Sequence, residues 1–248
     1  MKFYLCAILI IASVLKVVAQ NGDSSIKYIW KNETMHIDAV VEISNLQKNK
    51  SASSIYFLKN VDTVYNSATD SLFQTFTNSS FLNCPVIKIS FYNSDDPIPD
   101  KKIKLYSDAF IKFILPDLQK KYRQLNSNNI IVSGINDFSL VALFIATNNA
   151  YKINKTALFF NDDGGFSKFN MFNLEGLKHL KGKLFMYVNH QNYNDVFTDS
   201  LAANLALASS TVLYKYDHYG NLLPFNIFIE AYKWLMADGN NYIIENTD

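Results

Sequence analysis

Arginine is all but missing from this chain: Arg123 is the only one. Without a cluster of guanidinium groups there is no ready bidentate grip on phosphate or carboxylate ligands. A charge imbalance is missing too. Twenty-three basic against 22 acidic side chains leave +1, which argues against nucleic acid or an anionic membrane as partner. Cysteine is scarce, with Cys6 and Cys84 alone. Cys6 lies in an N-terminal segment expected to be removed, so no internal disulfide is expected and stability must come from a core. Cys84, between Leu82 and an apolar run, reads as a small buried hydrophobe rather than a reactive thiol. Beyond the first twenty residues no stretch is long and apolar enough to cross a bilayer.

What is present points to a packed α/β protein. Hydrophobic residues make up 49% of the 248 and charged residues 18%, which excludes disorder. That length suits one large α/β domain or two small ones. No internal repeat or domain-sized linker is visible, so residues 20–248 are expected to form a single domain. Residues 1–19 read as a secretory signal: Lys2 supplies the positive start, Leu5 to Leu15 the apolar core, and Val17-Val18-Ala19 the small residues at the cut. The expected mature protein is secreted. Four acceptor sequons, at Asn32, Asn49, Asn78 and Asn154, agree with that compartment.

Periodicity predicts strands over 35–43, 54–58, 85–91, 130–134, 156–160, 182–188 and 211–216. Helices are expected over 67–76, 107–124, 138–148, 199–209 and 225–236, with Ser107 capping the second and Pro116 kinking or breaking it. Alternation of strands and helices implies a mostly parallel sheet with helices on both faces. Its ligand site belongs beyond the strand C-termini.

One stretch organises the rest. Ile130-Ile131-Val132-Ser133-Gly134 is a β-branched run ending at glycine, Ile135-Asn136-Asp137 makes the turn, and Phe138 to Ala146 continues as an apolar helix. That strand–turn–helix has the form of a nucleophile elbow. Upstream stands Phe110-Ile-Lys-Phe113-Ile-Leu-Pro116-Asp-Leu118-Gln-Lys-Lys-Tyr122-Arg123, and near the end Tyr216-Asp217-His218-Tyr219-Gly220-Asn221-Leu222-Leu223-Pro224. In these three stretches the chain resembles the esterase D and enterochelin-esterase-like branch of the α/β hydrolases, over roughly residues 30 to 236. The resemblance implies a three-layer α/β-hydrolase-like sandwich, and a cleft that works by serine, histidine and acid.

The residues depart from that chemistry at its centre. The family's G-H-S-x-G-G is here Gly134-Ile135-Asn136-Asp137-Phe138-Ser139. A carboxamide has no ionisable hydroxyl to pass to histidine and is a poor nucleophile. Asparagine does tolerate the positive-φ backbone of an elbow, so the turn can outlast the reaction. The acid of the resemblance falls near Gln191 and Asn192, both amides; Asp195, Asp162 or Asp163 are the remaining acids. His218 keeps the identity the resemblance implies. Loss of the orienting charge costs such a triad several orders of magnitude.

Plainer readings stand beside these. Asn136 or Asp137 suits the N-cap of the following helix, and Asp162-Asp163-Gly164-Gly165 suits an ordinary turn better than a calcium loop. His190, His218 and Asp195 lack the spacing of a zinc site. No cofactor or metal is expected. The expected function is a catalytically inactive, secreted esterase homologue that binds a small molecule or a protein. The alternatives are a working hydrolase with its nucleophile moved to Ser133 or Ser139, and an extracellular structural protein.

Overall fold

The computed structural model describes residues 25–46, 53–61, 66–78, 84–92, 98, 100–125, 129–147, 153–160, 180, 182–189, 210–217 and 225–237. The segment 1–19, Asn49, Asp162, Asp163, Asp195 and His218 lie outside these residues, as does the helix expected over 199–209.

Eight strands form one sheet in the order β1-β2-β4-β3-β5-β6-β7-β8. They are β1 (Ile26–Asn32), β2 (Ile37–Ser44), β3 (Ser53–Asn60), β4 (Val86–Phe91), β5 (Asn129–Ile135), β6 (Lys155–Phe160), β7 (Gly182–Asn189) and β8 (Ser210–Asp217). Strand β2 runs antiparallel to both its neighbours; every other adjacent pair is parallel. The sequence pattern matches each strand's place. β2 alternates buried and half-buried residues, as a strand with one covered face does, whereas β3 and β4 are buried along almost their whole length, as strands between two helix layers are.

Among the described helices, α1 (Asn66–Thr77) and α5 (Phe225–Met236) pack on one face of the sheet. On the other lie α2 (Asp100–Ala109), α3 (Leu115–Lys121) and α4 (Asp137–Thr147). In α5 the buried residues Ile227, Phe228, Ala231, Tyr232 and Leu235 recur at helical spacing and make one apolar stripe. Phe228 is fully buried and meets Phe76 of α1 at 4.7 Å and Phe159 of β6 at 5.0 Å between ring centroids. Its burial stabilises the α5 face by about 2–3 kcal/mol.

Three elements differ from the sequence-based expectation. The second helix starts at Asp100, not Ser107, and passes without a break from α2 to α3 through a π turn, Phe110–Ile114. Leu115 N–H donates to Phe110 O across that turn. Pro116, at the start of α3, has no N–H to give and its ring crowds the carbonyl four residues back; widening the preceding turn relieves both. Ser107 is no cap: it is buried within α2 and donates to Ile103 O at 2.8 Å. The second strand begins at Ile37, because Met35 and His36 belong to the hairpin turn. Asn32 Oδ1 accepts the Met35 N–H at 3.0 Å there, and His36 has φ +53°. β1 itself escaped the pattern, since lysines at 27 and 31 interrupt its apolar residues. These lysines pair across the strands with Glu42 and Asp38.

A ladder of charge runs under α1. Lys27 meets Glu42 at 2.6 Å, Glu42 meets Lys88 at 2.7 Å, and Lys88 meets Asp70 at 3.1 Å. Lys59 closes it at 2.8 Å from the same Asp70 oxygen. The side chains of Lys59 and Lys88 are 4% and 9% exposed, so these ammonium groups depend on their carboxylates for the solvation they have lost. Desolvation pushes the Lys59 pKa down, beyond what the hydrogen bond and charge of Asp70 restore. Burial pushes Asp70 and Glu42 up, but their lysine partners outweigh it and hold both carboxyls below their ordinary values.

Candidate functional site

The elbow is built from three local requirements. At Gly134 an added Cβ would stand 2.1 Å from the Phe138 carbonyl oxygen, so only glycine lets strand and helix approach this closely. Asn136 holds φ +53°, a left-handed conformation that asparagine tolerates better than most residues. Its N–H donates to Phe159 O at 2.7 Å, and its carbonyl accepts the Ser139 N–H at 2.9 Å, which closes the turn into α4. Asn136 sits half-buried at the apex beyond β5.

The expected positive-φ turn is therefore present, with asparagine at its summit. Asp137 opens α4, where its negative charge suits the helix dipole. Its carboxylate also reaches out of the helix: Oδ2 accepts the Ile98 N–H at 2.5 Å, tying the approach to α2 against the elbow. Phe138 fills the aromatic space between β4 and α2. It stacks on Phe91 at 5.4 Å with planes 6° apart and meets Tyr106 at 5.4 Å.

The two serines nearest the apex are both fully buried. Ser139 Oγ lies 2.8 Å from Gly134 O and 3.2 Å from Phe159 O, and accepts the Phe159 N–H at 3.0 Å. That hydroxyl bridges β5, β6 and α4. Ser133 points to the opposite face of β5, where its Oγ is 2.6 Å from the Tyr232 hydroxyl and 3.3 Å from Tyr56 O. Burial pushes the Tyr232 phenol above its usual range, so that pair stays neutral. Neither serine reaches the apex.

The fold so built has counterparts among solved hydrolases. The chain superimposes on a ferulic acid esterase with TM-score 0.57 at 11% identity, covering 86% of this chain and 96% of that one. It superimposes on an esterase from Pyrococcus furiosus with TM-score 0.57 at 12% identity, covering 90% and 97%. A predicted CIB-like hydrolase from Thermoplasma acidophilum gives TM-score 0.55 at 10% identity, covering 86% and 99%. The chain has the α/β-hydrolase fold. No protein-family model matches the sequence, and no curated protein matches it in sequence.

Within this α/β-hydrolase fold the apex residue is Asn136. Of the other expected site residues, His218 and the acids Asp162, Asp163 and Asp195 lie outside the described residues, as do His190, Gln191 and Asn192. Asp217, one residue before His218, pairs in register with Asn189 at the end of β7. Asn189 is 5% exposed. Among the described residues no group of three or more His, Cys, Asp or Glu side chains is gathered as a metal would require. No described helix is long and apolar enough to cross a membrane.

Sequence reasoning missed Asn60. Strand β3 pairs Leu58 with Gly134 of β5, so the end of β3, at Asn60, lies near the elbow. The signal lay in the register, since Asn60 shares no local motif with the elbow.

Proposed function

We propose that this protein is a secreted, catalytically inactive homologue of the esterases whose fold it shares, and that it acts by binding a small molecule or a protein in the cleft above β5. One observation carries the reading. The apex backbone has the left-handed turn that would present a nucleophile, and the side chain it presents is the carboxamide of Asn136. A carboxamide neither ionises nor transfers a proton to histidine at neutral pH. Relocation of the nucleophile to Ser133 or Ser139 finds no support, because both hydroxyls are buried and hydrogen-bonded within the frame.

Secretion rests on residues 1–19, with glycosylation as its companion. Of the four sequons, Asn78 and Asn154 are exposed and Asn32 is half-buried in the β1–β2 hairpin; Asn49 lies outside the described residues. The deciding experiment is hydrolysis of short-chain aryl esters by the intact chain, beside Asn136→Ser and His218→Ala. Background turnover by the native protein is expected. Robust turnover that His218→Ala abolishes would overturn the proposal.

A further inference from the structure

The β1 end of the sheet is well covered on one face only. Strand β1 is the edge strand, and β2 lies between it and β4. Alternation along the strands turns Tyr28 and Trp30 of β1, with Ala39 and Val41 of β2, into the core beside α3. There the Lys121 ammonium stands 4.6 Å from the centre of the Tyr28 ring. The residues between them turn to the side of α1. On that side α1 covers β3 and β4, where Asp70 bonds Lys59 and Lys88, and Phe73 meets Phe57 at 5.6 Å between ring centroids. Over β1 and β2 the cover thins. Ile29 is 41% exposed, Lys27 and Lys31 are exposed, and Asp38, Val40 and Glu42 are half-buried.

The β1–β2 register sets these six side chains in three rows: Lys27 beside Glu42, Ile29 beside Val40, and Lys31 beside Asp38. The outer rows are ion pairs, at 2.6 and 3.5 Å. The patch is thus a basic column and an acidic column with an apolar middle. A two-fold axis in the plane of contact, parallel to these strands and midway between them, lays β1 of a second copy over β2 and the reverse. Lys27 then faces Glu42 of the second copy, Ile29 faces its Val40, and Lys31 faces its Asp38. Each ion pair becomes a square of alternating charge, and the apolar side chains close the centre. Stacked sheets lie about 10 Å apart, the depth of a helix layer, so each copy's outer strands fill the step beside the other's α1. Edge-to-edge pairing has no such match. Two β1 strands running antiparallel about Ile29 would set Lys27 against Lys31 of the second copy, and like charges there repel.

From this self-complementary face we infer that the protein pairs with a second copy of itself through the α1 side of β1 and β2, as an isologous dimer. Six side chains fall short of the roughly 20–30 residues a side of a standard interface, so the dimer is weak, with an affinity in the micromolar range. Sedimentation equilibrium of the full-length protein over a concentration series measures it. Ile29→Lys and Lys31→Glu should each weaken dimerisation about tenfold or more, while far-UV circular dichroism stays native because both side chains are exposed. Lys31→Glu combined with Asp38→Lys exchanges the charges within and between copies, and should restore the dimer. Mixed with the isotope-labelled native chain, that double variant should form few heterodimers by native mass spectrometry, since Lys31 of the native chain then meets a second lysine across the axis. A monomer at every concentration would refute the inference, whatever else covers this face. So would a dimer indifferent to Ile29→Lys and Lys31→Glu, failure of the exchanged pair to restore it, or free mixing of the double variant with the native chain.

Discussion

Two neighbouring residues of β3 belong to opposite regimes. Asn60 ends β3 near the elbow, where Asn136 forms the apex and the carboxylate of Asp137 accepts a backbone N–H. Lys59 faces α1, where five charged side chains alternate in sign from Lys27 to Lys59. Hydrolysis by this fold needs polar reactive groups at the first place, while a sheet packing on a helix needs none at the second. The contrast teaches that here buried charge secures a helix, while the elbow keeps its shape without a hydroxyl at its apex. Frame and chemistry are separable on one strand.

The frame side of the comparison is broken most severely by Gly134→Ala. The new methyl would have to displace the Phe138 carbonyl, forcing α4 off β5. A loss of about 3 kcal/mol or more is expected, within the upper range for overpacking, and is measured as a fall in denaturant midpoint. Little change would mean the elbow is looser than its geometry implies.

The charged side is tested by Asp70→Asn, which leaves Lys59 and Lys88 facing one weakened partner. Fully buried pairs cost about 3–5 kcal/mol to break; with Asp70 47% exposed, solvent screening reduces the expectation to about 2 kcal/mol. The pH dependence follows from the same groups. Asp70 and Glu42 have folded pKa values below their ordinary ones, so their stabilisation is present above about pH 4.5 and is lost as pH falls through the folded values. Thermal melts between pH 7 and pH 2 should show a steep acid limb that Asp70→Asn flattens. An unchanged limb would assign acid sensitivity to other carboxylates.

The smallest effect is expected from Ser139→Ala. It removes a hydroxyl that accepts the Phe159 N–H and lies near two carbonyls, at about 1–2 kcal/mol. Calorimetric melting reads it directly. A stabilised variant would show that the hydroxyl was a burden on the core.

Much of the fold was legible because it is written in local periods. The continuous apolar runs over 54–58 and 156–160 announced strands β3 and β6, and Gly134 followed by three turn residues announced the elbow. Asn136 was readable as both a lost nucleophile and a residue suited to positive φ. What stayed hidden depends on distant segments meeting. Lys88 looks like an exposed interruption of β4 until the register with Glu42 of β2 is known, and Asn60 gains meaning only beside β5. The π turn before Pro116 was half legible: the proline forecast a disturbance, but whether the helix would bend, end or widen depended on its packing against the sheet.

The peg formed by Ser139 carries a consequence of its own. Because that hydroxyl joins β5, β6 and α4 from beneath, the summit's backbone is braced by atoms below it. Position 136 is accordingly a fitting on a braced mount, open to residues that accept its positive φ. A designer who places a serine, cysteine or aspartate there inherits a ready-made turn, and can ask what each side chain does at one address without rebuilding the house.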